Sequence, residues 1–315
     1  MRGFESAIEQ AKSIAIGGHV RPDGDCIGSC MGLYAYLSSK YKDKKINVFL
    51  QEFPHSFDYL YNPKAFEEPK DCYDLFISLD CGDEDRLGES GTLFEKASHT
   101  INIDHHISNT KFARENLVKP NASSTSEIVY TLMDDSFVDY GIATAIYTGI
   151  IHDTGVFKHD CTKRSTMEVA GKLMEKGIPF GKIIDESFYM KTFSQLQILG
   201  RCLLGSMQIM DGKCIFSVVT KKLLDFYEVQ PSDLDGVIDQ MRTTEGVEVA
   251  ILLDERDTEE FKVSMRSNGK VNVSTICQFF GGGGHVRAAG CCIKGSSYDV
   301  INNLTEHIEK QLGKD

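Results

Sequence analysis

Residues 19 to 29 read HVRPDGDCIGS and place His19, Asp23 and Asp25 on a short stretch directly after the apolar run SIAIGG. Pro22 and Gly24 allow neither a regular helix nor an ordinary strand there, so the stretch reads as a turn. The same residue types recur elsewhere: Asp80 closes YDLFISLD, Asp104 with His105 and His106 closes HTINIDHH, and Asp153 ends IYTGIIHD. Carboxylate oxygens and imidazole nitrogens without thiolates suit Mn2+ or Mg2+ better than structural zinc, and the histidines favour manganese. Two carboxylates one residue apart cannot easily serve one ion, but on a glycine turn Asp23 and Asp25 can splay toward two. A pair of ions about 3.5–4 Å apart needs a bridging carboxylate, for which Asp80 is the candidate, and a water shared by such a pair loses its proton near neutral pH. The resulting hydroxide needs no catalytic serine or cysteine.

The elements that must present these residues are strand-like runs (KSIAIGG, KINVFL, YDLFISLD, HTINID) alternating with helix-like ones such as IGSCMGLYAYLSS, GTLFEKAS and SEIVYTLM. That alternation predicts βα units on a parallel sheet, where ligands gather beyond the carboxyl ends of the strands. His19, Asp23, Asp25, Asp80, Asp104 to His106 and Asp153 are all expected on that rim. Near residue 190 the texture changes, and SQLQILGRCLLGSM reads as one amphipathic helix with no sheet partner beside it. The expected organisation is a catalytic, metal-binding domain over residues 1–189, a helical linker over 190–206, and a smaller α/β substrate-binding domain over 207–315. The second domain carries KCIFSVVT, VEVAILLDE and EFKVSMRS as strands, a helix leading into FFGGGGHVRAAGCCI, and a final helix SYDVINNLTEHIEKQL.

Composition narrows the function class. With 315 residues, 41% hydrophobic and 25% charged, the chain reads as globular, and its ten scattered cysteines, lacking any CxxC pair, read as reduced, mostly buried thiols. The polar start MRGFESAIEQAKS and the lack of a long apolar run predict a cytoplasmic protein with no membrane span. Thirty-four Lys and Arg against 46 Asp and Glu give a net charge of −12, which argues against holding long nucleic acid by general phosphate neutralisation.

Four stretches, HVRPDGDCIGS, SLDCGDEDRL, IDHHISNTKF and IHDTGVF, resemble the motifs of the DHH phosphoesterases, whose name is the triplet Asp104-His105-His106. In the second half, SMRS and GGGGHVRAAG resemble the associated C-terminal domain of the oligoribonuclease and pAp phosphatase branch. The resemblance implies that His19, Asp23 and Asp80 hold one metal ion and that Asp25, Asp80, His105 and Asp153 hold another. It also implies that His106 faces the scissile phosphate and that Asp104 supports the site from behind. Beside these, His152 is read as a non-ligand, and STSE at 124 to 127 as a capping box opening a helix, in preference to an anion site.

For substrate, Gly281, Gly282, Gly283 and Gly284 expose backbone N–H groups suited to an anion, with His285 following and Arg266 able to make forked contacts to phosphate. Asn109, just after the triplet, is a further candidate substrate contact, and Arg114 a weaker one. The implied function is hydrolysis of short oligoribonucleotides to 5′-mononucleotides and removal of the 3′-phosphate of pAp. It would use two divalent ions, Mn2+ before Mg2+, with the substrate pinned between the domains and a homodimer as the plausible assembly. A phosphodiesterase for linear pApA is the alternative within enzymes, and a non-catalytic nucleotide-binding protein the alternative outside them.

Overall fold

The computed structural model describes residues 2–313, Arg2 by its backbone alone, and divides into two compact units, residues 1–190 and 191–315. In the first unit, β1 (Ser13–Gly17), β2 (Lys45–Phe49), β3 (Leu75–Leu79), β4 (His99–Asp104) and β5 (Glu115–Val118) form a parallel sheet in the order β2-β1-β3-β4-β5. SIAIG and LFISL are buried along their whole length, as strands of a parallel sheet covered on both faces must be. Their alternation divides the core: Ile14, Ile16, Ile77 and Leu79 face one layer, while Ala15 and Phe76 face the other with Tyr73, Leu87 and Phe94. The chain runs from β1 outward to β2 and then back to β3, so the strand order reverses between β1 and β3. Such a reversal leaves a crevice at the carboxyl ends of the strands.

The helices of this unit are α1 (Arg2–Gln10), α2 (Gly24–Lys40), α3 (Gly91–Lys96), α4 (Thr125–Tyr130), α5 (Tyr140–Asp153), α6 (Arg164–Glu175) and α7 (Phe180–Ile184). Two of these correct the reading of the sequence. Asp153 is the last residue of a 14-residue helix and lies at no strand end: Asp139 caps that helix by accepting from Ile142 N, and its apolar residues are buried on nearly every side. Gly24 makes no turn, since α2 starts at it, with Asp23 as N-cap accepting from the amides of Asp25 and Cys26. Glycine is required at position 24 because a Cβ there would lie 2.1 Å from His152 Cγ.

α2 and α5 cross in contact. A Cβ on Gly28 would come within 2.5 Å of Ala145 O and 2.7 Å of Gly149 N, so the two backbones touch where α2 carries glycine. Both helices bury Ile27, Leu33 and Leu37, or Ile142, Ile146 and Ile150, in the same core as β1 and β3.

The second unit holds α8 (Phe193–Leu204), β6 (Met207–Ile209), β7 (Cys214–Val219), α9 (Lys221–Tyr227), α10 (Val237–Arg242), β8 (Val249–Asp257), β9 (Glu260–Ser267), α11 (Val273–Phe279), β10 (Gly283–His285), β11 (Ala288–Lys294) and α12 (Ser297–Leu312). Its six-stranded sheet has the order β10-β11-β9-β8-β7-β6, antiparallel apart from the β7–β8 pair. One face packs on α11 and α12 through Val273, Ile276, Val300 and Leu304, the other on α8 to α10 through Leu224, Ile238 and Met241. The segment expected to lack a sheet partner therefore has one. α8 buries Ile198 and Cys202 in that second layer, and Ser217 Oγ donates to Cys202 O at 3.0 Å. An amphipathic helix buries its apolar stripe wherever a sheet face is available.

All ten cysteines are free, seven of them buried, with Cys72 and Cys292 exposed. Among the described residues no helix is long and apolar enough to cross a membrane.

Candidate metal centre

Gly17 ends β1 and leads to His19, Leu79 ends β3 and leads to Asp80, and β4 ends on Asp104, so three strand ends around the order reversal supply side chains to one place. The first turn of α2 adds Asp23 and Asp25, and the last residue of α5 adds Asp153. Ligand atoms of His19, Asp23 and Asp80 lie within 4.8 Å of one another, and so do those of Asp25, His105 and Asp153 and those of Asp80, His105 and His106. Asp80 joins these groups through opposite oxygens: Oδ2 is 3.5 Å from His19 Nε2, while Oδ1 is 3.6 Å from His105 Nε2. His105 Nε2 also lies 2.9 Å from Asp153 Oδ2, and His19 Nε2 lies 3.7 Å from Asp23 Oδ2. His19, Asp25 and Asp80 are buried, whereas the Asp23 side chain is 58% exposed and that of His106 36%. The centre thus has a closed floor and an open rim.

Hydrogen bonds fix how each side chain presents itself. His19 Nδ1 is 2.9 Å from Val20 O, and since a carbonyl only accepts, Nδ1 carries the proton and Nε2 faces the carboxylates. His106 Nδ1 donates to Asp104 Oδ1 at 2.7 Å, and Asn109 Nδ2 donates to Asp104 Oδ2 at 2.6 Å. Asn109 therefore differs from its expected place at the substrate. Its amide nitrogen also reaches Asn102 Oδ1 and Cys81 O, and its oxygen accepts from Lys111 N, so both ends are used inside the protein. Arg114 likewise turns away to donate to Ser98 O. His152 packs between Phe57 and Phe188 with Nε2 3.1 Å from Ser187 Oγ, and burial pulls its pKa down to about 4, so it stays neutral.

The stretch STSE does more than cap. Ser124 Oγ accepts from Glu127 N, which starts α4, but the Glu127 carboxylate turns to Ser123 and Thr166. The first amides of the helix instead hold an anion of the chain itself: Thr125 N donates to Asp25 Oδ2 at 2.6 Å and Ser126 N to Asp25 Oδ1 at 2.9 Å. Thr125 Oγ1 also donates to Asp80 Oδ1 at 3.1 Å. Thr125 and Ser126 are thus given only a capping role by the sequence, as part of STSE, because a run of small polar residues at a helix start is also what a simple cap produces. Asn102, inside β4, carries no such signal.

The electrostatics of the cluster ask for positive charge. Burial lowers the His19 pKa, but Asp23 and Asp80 outweigh it and raise the group to about 11. Burial likewise opposes, and Asp153 and Asp25 override, at His105, which rises to about 10. Asp25, fully buried and facing Asp80 and Asp153, is pushed well above the ordinary carboxylate range. Clustered carboxylates and imidazoles whose Nε2 atoms face one another, with no thiolate among them, fit divalent cations.

In the second unit, β10, β11 and β9 set His285, Ala288 and Arg266 in one row across the sheet, so the two polar side chains share a face. Gly281 and Gly284 have φ of +75° and +140°, and a Cβ on Gly282 would lie 2.2 Å from Gly290 O, so this loop admits little but glycine. Arg266 Nε is 3.5 Å from Asp239 Oδ1, and one of its terminal nitrogens donates to Met265 O.

Residues 13–150 match the DHH family N-terminal domain, and residues 211–314 match the DHHA1 domain. The chain is 31% identical to the bifunctional oligoribonuclease and PAP phosphatase NrnA of Thermus thermophilus, over 95% of this chain and 90% of that protein. The chain belongs to the DHH family. Among other members, the cyclic-di-AMP phosphodiesterase GdpP of Bacillus subtilis is 26% identical over 96% of this chain and 48% of its own length. The crystal structure of an exopolyphosphatase-related protein from Bacteroides fragilis superposes with a TM-score of 0.87 at 29% identity, covering 98% of this chain and 95% of that one. As a member of the DHH phosphoesterases, the protein is an enzyme of a metal-dependent family, and its His and Asp clusters could hold the metal.

Proposed function

We propose that this protein hydrolyses short oligoribonucleotides to 5′-mononucleotides and removes the 3′-phosphate of pAp, using two divalent ions, manganese foremost. The observation that carries the reading is the pair of His and Asp clusters joined through the two oxygens of Asp80. The Thermus thermophilus and Bacillus subtilis relatives, which align along nearly their whole length and are named for these two activities, support the choice of substrate. His19, Asp23 and Asp80 would hold one ion, and Asp25, His105 and Asp153 the other, with Asp80 shared. Two such ions supply charge neutralisation at phosphorus and an activated water for attack, so no side-chain nucleophile is needed.

The remaining work falls to the chain's own groups. His106 is held by Asp104 through Nδ1, which leaves Nε2 for the phosphate or the departing ester oxygen. The Asp104 hydrogen bond, opposed by burial, raises the His106 pKa, so the imidazolium persists to higher pH as a proton donor. Arg266, His285 and the Gly281–Gly284 loop would bind a distal phosphate, Arg266 exchanging its loose contact with Asp239 for it. The likeness to GdpP, a cyclic-di-AMP phosphodiesterase, supports a phosphodiesterase of the cyclic-dinucleotide pathway, acting on linear pApA, as the alternative.

Incubating the purified protein with Mn2+ or Mg2+ and end-labelled di- to pentanucleotides, pAp and pApA tests the reading. Turnover that stops on chelation is expected, and oligonucleotides and pAp left intact would remove the proposal. Arg266→Lys is expected to raise KM for a dinucleotide by roughly 10-fold or more while kcat changes little, because a charge-assisted forked contact is lost. An unchanged KM would take Arg266 out of the binding site.

A further inference from the structure

Thr125 stands at the junction of the two candidate metal groups. It is fully buried, its hydroxyl donates to Asp80 Oδ1, and its amide donates to Asp25 Oδ2, so one residue touches a carboxylate of each metal cluster. Asp80 Oδ1 is also the oxygen that faces His105 and His106, at 3.6 and 3.7 Å, whereas Oδ2 faces His19. A carboxylate serving two ions must keep its plane turned so that each oxygen addresses one of them. Free rotation about the last side-chain torsion of an aspartate is broad, so sterics alone do not hold that plane. The Thr125 hydroxyl does, by occupying one lone pair of Oδ1 and leaving the other for the cluster.

We infer that Thr125 is the positioning residue that keeps Asp80 in its sharing orientation and so makes the centre dinuclear. The inference rests on the dinuclear reading above and deepens it, since it assigns the second ion's retention to one hydroxyl outside the ligand set. Loss of a hydrogen bond to a ligating carboxylate weakens a metal site by roughly 10–100-fold.

Titrating full-length, metal-free protein with Mn2+, by calorimetry and by the electron paramagnetic resonance of bound manganese, tests this without substrate. Wild type should take two ions per chain. Thr125→Val keeps shape and amide but loses the donor, and should bind the first ion normally and the second roughly 10–100-fold more weakly, with the spin-coupled signal replaced by that of an isolated ion. Thr125→Ser should restore both ions, which a merely structural role for the side chain would not require. The inference falls if Thr125→Val binds two ions as wild type does, or if Thr125→Ser is as impaired as Thr125→Val. Should metal-free Thr125→Val fail to fold by circular dichroism, Thr125→Ala measured against Thr125→Ser decides by the same criteria. A wild type that takes up no ion pair would overturn the dinuclear reading itself, a different result from a variant that matches its parent.

Discussion

Asp80→Asn is expected to abolish hydrolysis of short oligonucleotides, by roughly 10³-fold or more, while the protein stays folded. Asp80 is the one carboxylate whose oxygens address both histidine clusters, 3.5 Å from His19 Nε2 on one side and 3.6 Å from His105 Nε2 on the other. Asparagine keeps the shape and the Thr125 contact but removes the charge, and its amide nitrogen cannot ligate a cation. The choice of asparagine matters for the backbone as well. Asp80 sits at φ +59°, in the left-handed region that Asn and Asp tolerate and alanine resists, so Asp80→Ala would mix strain with chemistry. The measurement is kcat on a dinucleotide at saturating Mn2+, with near-ultraviolet circular dichroism as the check on folding. Activity within tenfold of wild type would show that Asp80 is not the shared ligand.

Gly28→Ala is the second large effect. A methyl group there would lie 2.5 Å from Ala145 O and 2.7 Å from Gly149 N, and backbone atoms cannot swing aside as a side-chain end can. α2 and α5 must separate, at a cost of about 1–3 kcal/mol or more, which in a domain of this size lowers the melting temperature by several degrees. The consequence reaches the chemistry because α2 carries Asp25 and α5 carries Asp153, two members of one candidate metal group. Loss of stability should therefore come with weakened Mn2+ binding. Two other helical glycines serve as comparisons. At Gly32 the added methyl meets side-chain atoms alone, Ile146 Cδ1 at 2.7 Å and Cγ1 at 3.0 Å with Ala145 Cβ at 3.6 Å, and should cost less. At Gly171, on α6, nothing lies within 4 Å, and alanine should stabilise by about 0.5–1 kcal/mol through helix propensity. A melting temperature for Gly28→Ala equal to that of wild type would show that the helices do not cross where described.

Much of the centre was legible before any fold was known, because metal chemistry restricts residue types and the parallel sheet restricts where they can sit. His19 and Asp80 follow apolar strands and Asp104 ends one, and a strand buried on both faces announces itself as a short unbroken apolar run. Asp153 was legible as a candidate but not as the end of a helix. IYTGIIHD is apolar enough for a buried strand, and only its 14-residue element and the Asp139 cap separate the two readings. α8 misled for a related reason: an amphipathic stripe says that a helix is covered, not by what.

The amino-acid sequence alone determined which donors exist, that they are oxygen and nitrogen rather than sulfur, and that a parallel sheet would gather most of them at one edge. The tertiary structure alone decided which oxygen of Asp80 faces which histidine, that Asn109 props Asp104, and that Thr125 and Ser126 hold Asp25 from 100 residues away in the chain. The physical reason is range. Donor chemistry and strand burial are properties of a residue and its near neighbours, whereas a hydrogen bond across the fold depends on angles and distances that many distant contacts set together.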